Sequence, residues 1–505
     1  MIVAGRTLAG DVTWDADVAV VGTGAGGAPL GHALAAAGKS VVFVEAGPRV
    51  LDAEMTQRVP DMLARLYWDR GARVTSSGAF TVSQGRCVGG STVHYTAWAM
   101  RPPRPILDHW MYHLKITELD ARTIDPLVET VEKMLSTRPV LPHEVNAHNH
   151  LIERGATKLG LRGGFVHHNR VGCLGCGYCL LGCAYNRKQT AANTFLPAAI
   201  SLGARLVSDA HVERVLTRGA RVEGVRARLL DGGHGQVGTL TVRAPVVVLA
   251  AGTVHTPALL IRSGIGDASG QVGRNLVFHT TTTLFGLFDE EVAAHRGFSP
   301  SYVVDHAMDL ERYPDRGYYL VPAFAAPAAI APFLPGFGDQ HASKMRAYKR
   351  LAGLSVMLHD SSRGRVTVAP NGKPVIDYAL APEDRGQLVE GMIAAGRLLF
   401  AAGAKEVYPS SPGGMSFTSP EQLDYLTSFS HLENRFALNT PHPQGTCRMG
   451  ELRQDSVVDP WGRSHDVVGL YVSDMSVFPT SVAVPPSITT MALALRTARH
   501  VLATA

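Results

Sequence analysis

Residues 17–46, DVAVVGTGAGGAPLGHALAAAGKSVVFVEA, carry the strongest indication of the fold. The apolar run Val18 to Val21 predicts a buried parallel strand, and a second run, Val41 to Val44, predicts another strand after an Ala-rich helix. Glu45 closes the unit. Between the first strand and the helix stand three glycines in the spacing G-x-G-x-x-G: Gly22, Gly24 and Gly27. This order of strand, glycine turn, helix, strand and acid predicts a β–α–β unit that binds a dinucleotide.

Each part of this unit has a physical role in holding a dinucleotide. The glycines permit a tight turn and let the backbone approach a pyrophosphate at the helix N-terminus, and Glu45 is placed to accept hydrogen bonds from ribose hydroxyls. The unit alone leaves both NAD and FAD open as the cofactor. The competing interpretation is a glycine-rich turn in an unrelated α/β unit.

The composition of the chain restricts the classes of protein to which it can belong. Its 505 residues are 46% hydrophobic and 18% charged, with a net charge of +5, which predicts a globular protein of more than one domain and no nucleic-acid partner. The N-terminus lacks a signal-peptide pattern, and four prolines in the apolar segment 319–337 argue against a transmembrane segment. We therefore expect a cytoplasmic protein, either free or peripheral at a membrane.

Five further motifs follow the dinucleotide unit in order along the chain. They are GRCVGGSTVHYTAWAMRP (85–102), LAAGTVHTPALLIRSGIG (249–266), VGRNLVFH (272–279), HPQGTCRMG (442–450) and DMSVFPTSVAVPPSITTMALA (474–494). Together they resemble the glucose–methanol–choline (GMC) family of FAD-dependent oxidoreductases. Within that family the chain is most similar in appearance to the long-chain alcohol oxidases and a cysteine-rich bacterial branch. The resemblance implies FAD as the cofactor.

The fold class that follows is α/β, with a Rossmann-like FAD-binding domain and an α+β substrate domain. We predict a discontinuous FAD-binding domain over residues 12–285 and 436–505, with a Cys-rich insertion at 165–190. Residues 286–435, which are rich in aromatics and proline, predict a substrate-binding domain whose antiparallel sheet covers the flavin.

The resemblance also implies a catalytic residue. Removal of a hydroxyl proton near the flavin suits an imidazole, whose pKa lies near neutrality. In the GMC family this base opens the motif H-x-x-G-T-C, which here assigns the role to His442. The predicted reaction oxidises the CH–OH group of a small-molecule alcohol, of hydrophobic character, to an aldehyde or ketone by hydride transfer to flavin N5. For any single histidine the competing interpretation is a structural or surface role.

One position departs from the family pattern. The family has Asn or His before a proline in N-P-x-x-T or H-P-x-x-T, whereas this chain reads V-P-P-S-I-T, with Pro485 at the partner position. Proline offers no side-chain donor or acceptor. We favour a His442 that works with another polar group. The alternatives are a flavin-dependent lyase or other non-redox enzyme, and an electron-relay flavoprotein.

The resemblance assigns further residues to the cofactor. His94 falls where some relatives attach the flavin covalently, so both a covalent and a non-covalent contact are open, and the glycines before it allow the backbone to approach the cofactor. Asp474 is expected near the ribityl and pyrophosphate groups, and Val212 near the adenine. The complete set of predicted cofactor contacts is Gly22, Gly24, Gly27, Glu45, Gly89, Gly90, Ser91, His94, Val212 and Asp474.

Four of the six cysteines stand close together in the spacing C-x2-C-x2-C-x3-C: Cys173, Cys176, Cys179 and Cys183. Thiolates at this spacing can ligate an iron–sulfur cluster. Zinc is a second interpretation, although three ligands would crowd on one side, and structural thiols are a third. A cluster would favour a dehydrogenase that passes electrons to a redox partner protein or a quinone.

Overall fold

The computed structural model describes residues 1–8, 10–232, 235–411, 414–429 and 431–504. Its strands are β1 (Ile2–Ala4), β2 (Gly10–Asp15), β3 (Val18–Val21), β4 (Val41–Val44), β5 (Phe80–Val82), β6 (Trp98–Ala99), β7 (Arg138–Pro139), β8 (Gly163–Phe165), β9 (His167–His168), β10 (Arg205–Ser208), β11 (Ala210–Arg218), β12 (Arg221–Leu230), β13 (Gln236–Arg243), β14 (Val246–Leu249), β15 (Thr281–Leu287), β16 (Tyr302–Val304), β17 (Tyr318–Pro322), β18 (Leu351–Leu358), β19 (Arg365–Val368), β20 (Pro374–Asp377), β21 (Glu406–Pro409), β22 (Leu438–Thr440) and β23 (Leu470–Val472). Its α-helices are α1 (Gly27–Ala36), α2 (Val59–Leu66), α3 (Arg104–Asp108), α4 (Ala121–Met134), α5 (Ala147–Lys158), α6 (Phe195–Ser201), α7 (Gly252–Ser263), α8 (Pro327–Ile330), α9 (Asp339–Arg346), α10 (Pro382–Ala402) and α11 (Ser487–Thr504).

A parallel six-stranded sheet forms the first layer, in the order β1-β10-β4-β3-β14-β23. All four residues of β3, of β4 and of β14 are buried, as expected for strands covered on both faces. The predicted unit β3–α1–β4 is confirmed at its predicted strand boundaries. Because β4 and β14 flank β3 on opposite sides, the chain leaves β3 at a topological switch point, where open parallel sheets bind ligands.

A mixed four-stranded sheet, β11-β12-β13-β2, accompanies this layer. Strands β11, β12 and β13 are antiparallel neighbours, and β2 pairs with β13 in parallel. The strand-like runs RVEGVRARLL and GTLTVRAPVVVLAAG, bounded by glycine-rich turns, are a sequence pattern typical of such a sheet.

An eight-stranded sheet forms the second large layer, in the order β5-β22-β15-β18-β17-β16-β8, with β21 also paired to β15. The predicted antiparallel sheet is confirmed in its central strands, β15, β18 and β17. The sheet also takes β5 and β8 from the N-terminal half, and β15 spans the predicted domain boundary at residue 285. The division into 12–285 with 436–505 and 286–435 therefore stays a prediction about domains, because this sheet draws strands from both parts.

Helix α10 covers the eight-stranded sheet, packing against α5 as well as β15, β17 and β18. Its buried residues recur at helical spacing, including Leu388, Met392, Ala395 and Leu399, so one face of the helix is apolar. Among the described helices, none is both long enough and apolar enough to cross a membrane.

Two glycines of α10 provide a test of this packing. Gly386 is exposed, and a Cβ there would meet no heavy atom within 4 Å, whereas a Cβ at Gly391 would lie 2.5 Å from Val356 Cγ1 on β18. Gly386→Ala should raise the free energy of unfolding by about 0.5–1 kcal/mol, because alanine loses less entropy in a helix. Gly391→Ala should lower it by about 1–3 kcal/mol through overpacking. Denaturant unfolding of both variants measures the difference, and equal effects would contradict the packing described.

Candidate functional site

The glycine loop after β3 packs so closely that side chains would not fit at several positions. A Cβ on Gly22, whose φ is +98°, would lie 2.3 Å from the carbonyl oxygen of Ala250. A Cβ on Gly27 would lie 2.1 Å from the carbonyl oxygen of Gly22. Gly24 is different, because a Cβ there would have its nearest heavy atom, Gly90 Cα, at 3.7 Å. The space beside Gly24 is therefore part of the cavity. It lies at the start of α1, where the helix dipole favours an anion.

Glu45 follows β4 and is held by the glycine loop. Its Oε2 accepts hydrogen bonds from the Thr23 amide (3.1 Å) and hydroxyl (2.7 Å), and its Oε1 accepts one from the Gly47 amide (2.9 Å). Burial raises the pKa of Glu45, although these hydrogen bonds oppose the change. The carboxylate is thus oriented at the cavity wall by three donors of the chain itself.

A second glycine turn faces the first. Gly89 and Gly90 both have positive φ, and the Gly89 amide donates to Thr23 Oγ1 (2.9 Å). Ser91 Oγ accepts from the Gly85 amide (2.9 Å). The two glycine turns meet where Gly24 lies against Gly90, so they form one continuous backbone surface along the cavity.

His94 is buried beside this surface. Its ring lies 3.9 Å, centroid to centroid, from the ring of Tyr67, and its Nε2 has no hydrogen-bond partner among the described residues. Burial, assisted by the positive charge of Lys188, lowers the pKa of His94 to about 3. A buried, unpartnered nitrogen is costly, by about 1–3 kcal/mol, so this atom points to a ligand group that fills the cavity.

Asp474 follows β23 and joins three segments of the chain. Its Oδ2 accepts from the Gly252 amide (2.9 Å) and from Thr256 Oγ1 (2.6 Å) of α7, and its Oδ1 accepts from the Ser476 amide (2.8 Å). Burial raises its pKa. Val212, on β11, lines the same cavity as Asp474.

A single cavity of about 780 Å³ connects most of the predicted residues. Eight of the ten predicted cofactor residues line it, together with His442: Gly22, Gly24, Glu45, Gly90, Ser91, His94, Val212 and Asp474. Gly27 packs behind the glycine loop and Gly89 binds Thr23 instead. The glycine surface, the oriented carboxylate and the unpartnered His94 nitrogen fit a dinucleotide of the FAD type. The glycine loop and Glu45 fit its diphosphate and ribose. His94 lines another part of the same cavity.

The part of the cavity beside the eight-stranded sheet is largely apolar. Its wall includes residues of the segment that the sequence singled out at 319–337: Val321, Pro322, Ala323, Phe324, Ala325, Ala329, Ile330 and Phe333. Phe285 of β15 and Met357 of β18 add to this wall, while Thr281, Thr283 and Ser355 of the same strands add hydroxyl groups. An apolar wall of this kind excludes water and accepts hydrocarbon groups.

His442 lies between Pro441 and Pro443, directly after β22, and lines the cavity. Its Nδ1 lies 3.0 Å from Nδ1 of His279, and no described residue hydrogen-bonds to its Nε2. Burial lowers the pKa of His442 to about 3. The imidazole is therefore neutral near pH 7, with one ring nitrogen bonded and the other free.

Pro485 lines the cavity with His442, and Pro486 lies beside it. The polar neighbours of His442 come from elsewhere. His279 Nε2 lies 2.9 Å from Ser481 Oγ, and Ser481 Oγ lies 2.7 Å from Nδ1 of His359. His279 and Ser481 stand within two of the motifs quoted from the sequence, where neither residue was given a role, and His359 lies outside all of them.

The Cys-rich insertion also reaches the cavity. Cys179 and Leu180 line it, and the Tyr67 hydroxyl donates to the Leu180 carbonyl (2.6 Å). Buried Lys188 donates to the carbonyls of Tyr95 (2.8 Å) and Cys179 (2.6 Å). These bonds hold the loop against the cofactor side of the cavity.

The prediction of a metal centre at Cys173, Cys176, Cys179 and Cys183 is not supported. In the part of the chain that the structure describes, no three Cys, His, Asp or Glu side chains are arranged to hold a metal ion. The thiols form hydrogen bonds instead, such as those from the Gly175 amide to Cys173 Sγ (3.5 Å) and from the Arg187 amide to Cys183 Sγ (3.2 Å). The thiols still lie close enough to influence one another, because the neighbouring Cys176 and Cys179 contribute to raising the pKa of Cys173, whose largest cause is burial.

Comparison with known proteins gives consistent results. Two family models, each described as GMC oxidoreductase, match residues 63–281 and 360–494. The chain is 36% identical to an uncharacterised GMC-type oxidoreductase of Mycobacterium tuberculosis, over 97% of this chain and 76% of that protein. It is 28% identical to a long-chain-alcohol oxidase of Arabidopsis thaliana, over 95% of this chain and 66% of that protein. The crystal structure of pyridoxine 4-oxidase from Mesorbium loti has the same fold, with a TM-score of 0.71 at 22% identity over 97% of this chain and 99% of that one.

The free space at Gly24 leads to a test of cofactor binding. Gly24→Ala should fold, because its Cβ would make only ordinary contacts, the nearest at 3.7 Å. The added methyl would occupy the space left for the diphosphate, so FAD affinity should fall by about tenfold, or 1.4 kcal/mol. The flavin-to-protein absorbance ratio of the purified protein measures this.

Two matched variants serve as controls for Gly24→Ala. Gly386→Ala, on the exposed face of α10, should keep full flavin content. Gly22→Ala should lose folded protein as well as flavin, since its Cβ would meet a backbone oxygen at 2.3 Å. Full flavin content in Gly24→Ala would contradict the position assigned to the diphosphate.

Proposed function

Since the chain belongs to the GMC oxidoreductase family and is therefore an FAD-dependent oxidoreductase, we propose that it oxidises the CH–OH group of an apolar alcohol to an aldehyde or ketone, with His442 as the base. The observation that carries this proposal is the single cavity that joins the dinucleotide surface to a neutral, half-bonded imidazole and an apolar wall. FAD, when bound, supplies the acceptor for the hydride that leaves the alcohol carbon.

The roles of the chain's own residues follow from their contacts. The glycine loop and Glu45 would hold the diphosphate and the adjacent ribose, and Val212 would border the adenine. His94, Ser91 and Asp474 would border the remainder of the cofactor. These side chains could contact the cofactor without breaking any hydrogen bond within the protein, because each already faces the cavity.

His442 would remove the hydroxyl proton of the substrate. Its Nδ1 is occupied by His279, so Nε2 is the atom left to receive a proton from the cavity. A general base must lie within hydrogen-bond reach of the proton it takes, and Nε2 is the one unbonded nitrogen of this ring. The charged His442 ring would then donate a hydrogen bond from its Nδ1 to His279, and this bond would stabilise the charge.

The apolar wall supports a substrate with a hydrocarbon chain or ring. Burial of each CH₂ group contributes about 0.8 kcal/mol, so a longer chain should bind more tightly until the pocket is filled. The likeness to a long-chain-alcohol oxidase supports the same class of substrate.

Anaerobic mixing of the flavin-loaded enzyme with ethanol, hexanol and dodecanol tests the proposed reaction. Hexanol and dodecanol should bleach the oxidised flavin faster than ethanol at equal concentration, because the apolar wall binds them better. His442→Ala should slow bleaching by about 100- to 10,000-fold while keeping the flavin, the usual range for a lost general base.

The matched control for His442→Ala is His143→Ala, at an exposed histidine, which should leave bleaching unchanged. Failure of every alcohol to bleach the flavin would contradict the proposed reaction. That result would favour the non-redox chemistry suggested by Pro485. An undiminished rate in His442→Ala would remove the role of that residue.

The low pKa of His442 predicts an unusual pH profile. Burial lowers it from 6.5 to about 3, so the neutral, proton-accepting form persists as the pH falls and is lost only when the pH approaches 3. The rate of flavin reduction by hexanol should therefore stay flat from about pH 5 to 8. Stopped-flow absorbance across this range measures it, and a half-loss of rate near pH 6.5 would contradict the environment assigned to this ring.

A further inference from the structure

A chain of hydrogen bonds runs from His442 into the protein and ends at a backbone carbonyl. We propose that His279, Ser481 and His359 act as positioning residues that hold His442 in the tautomer with the proton on Nδ1 and the lone pair on Nε2. This inference rests on the proposed function, in which Nε2 receives the substrate proton. It extends that function by naming the groups that prepare the base.

The series of hydrogen bonds is unbroken over five groups. His442 Nδ1 lies 3.0 Å from His279 Nδ1, His279 Nε2 lies 2.9 Å from Ser481 Oγ, and Ser481 Oγ lies 2.7 Å from His359 Nδ1. His359 Nε2 lies 2.9 Å from the carbonyl oxygen of Pro314. The exposed fraction of each of these side chains, His279, Ser481 and His359, is 2% or less, so water does not compete for these bonds.

The direction of every bond follows from the last one. A carbonyl oxygen only accepts, so His359 must carry its proton on Nε2 and, when neutral, presents a lone pair on Nδ1. The Ser481 hydroxyl then donates to His359 and accepts from His279 Nε2. His279, with its proton on Nε2, presents a lone pair on Nδ1, and the proton in the first bond must therefore belong to His442 Nδ1. Nε2 of His442 is left as the base.

The reverse direction would place two lone pairs against each other. If His279 carried its proton on Nδ1, Ser481 would have to donate to His279 Nε2, and its oxygen would then face the lone pair of His359 Nδ1 at 2.7 Å. Gln444 Nε2 donates one hydrogen to the His442 carbonyl (3.2 Å), and its second hydrogen would favour that direction, but its 3.3 Å distance to His279 Nε2 is longer than the 2.9 and 2.7 Å bonds through Ser481. The shorter bonds through Ser481 therefore decide the direction.

The surroundings favour the neutral form of these imidazoles. Burial lowers the pKa of His279 well below its usual value, and the neighbouring His442 and His359 lower it further. Burial also lowers the pKa of His359, against smaller opposing effects of the hydrogen bond to the Pro314 carbonyl and of Asp315 and Asp384, while Arg363 acts in the same direction as burial. Asp360, next along the chain, binds Thr280 and Tyr378 (2.7 and 2.5 Å) rather than a histidine of this set.

The pairing register of β15 and β18 explains why these residues meet. Strands β15 and β18 are antiparallel, with Thr281 opposite Met357. Two residues beyond that pair, His279 and His359 stand opposite each other, with ring centroids 6.5 Å apart. The distance is too long for a direct bond, and Ser481 fills it from the segment before α11. The sheet thus creates the gap that a single hydroxyl bridges.

Nitrogen-15 NMR of the oxidised, FAD-loaded enzyme with labelled histidine tests the assignment. The resonances of His442 are identified by their loss in His442→Gln. We expect the wild-type ring to show a protonated Nδ1 and an unprotonated Nε2. Ser481→Ala should convert this into a mixture of tautomers and slow flavin reduction by hexanol about tenfold, and Ser481→Thr, which keeps the hydroxyl, should restore both.

The controls separate this proposal from the proposed function and from general destabilisation. Ser301→Ala also removes a buried hydroxyl that makes one hydrogen bond, to the Phe298 carbonyl (2.6 Å), and should leave the His442 signals unchanged. A wild-type His442 protonated on Nε2 overturns the proposal without any variant, as does an unchanged His442 spectrum in Ser481→Ala. The tautomer can be measured even if no alcohol reduces the flavin, so failure of the proposed reaction is distinguished from failure of this proposal.

Discussion

Close contact between backbone segments at the carboxyl ends of β3, β14 and β23 is the constraint on which the cofactor side of the structure depends. A Cβ on Gly26 would lie 1.7 Å from the Ser473 carbonyl oxygen, and one on Gly22 would lie 2.3 Å from that of Ala250. Only glycine permits such contacts. They bring the turn after β3 against the loops after β14 and β23, where Asp474 then binds the first turn of α7. One edge of the parallel sheet thereby becomes a continuous backbone surface.

The eight-stranded sheet supplies the chemical groups that the parallel sheet lacks. Strand β22 pairs with β5 in parallel and ends just before His442. His279 lies just before β15 and His359 just after β18, at neighbouring ends of these paired strands. The cavity is lined both by this sheet and by the glycine surface, so substrate and cofactor would contact largely different parts of its wall. Variation of the apolar wall could then change the substrate while the cofactor contacts stay as they are.

The sequence predicted the parts of the site that depend on local order. The β3–α1–β4 unit follows from glycine spacing and apolar runs over thirty consecutive residues, and the fold, cofactor class and His442 follow from ordered motifs. His279, Ser481 and His359 could not be found in this way, because they meet through strand register and a loop that are separated by up to 202 residues. The cysteine spacing matches that of cluster ligands, yet among the described residues no three side chains are arranged to hold a metal ion. Spacing along the sequence does not by itself determine how the thiols are arranged in space.

Pro485 affects how negative charge on the substrate oxygen can be stabilised beside His442. Proline offers no side-chain donor to a substrate oxygen, so a partner for His442 would have to come from another polar side chain of the same cavity, such as Asn439, Ser487 or Thr490. A buried oxygen that gained negative charge without a donor would be costly, because leaving a buried charged group unpaired costs more than the roughly 1–3 kcal/mol of a neutral one. The proposed reaction therefore needs such a donor beside the substrate oxygen, in addition to a neutral His442 held between two prolines.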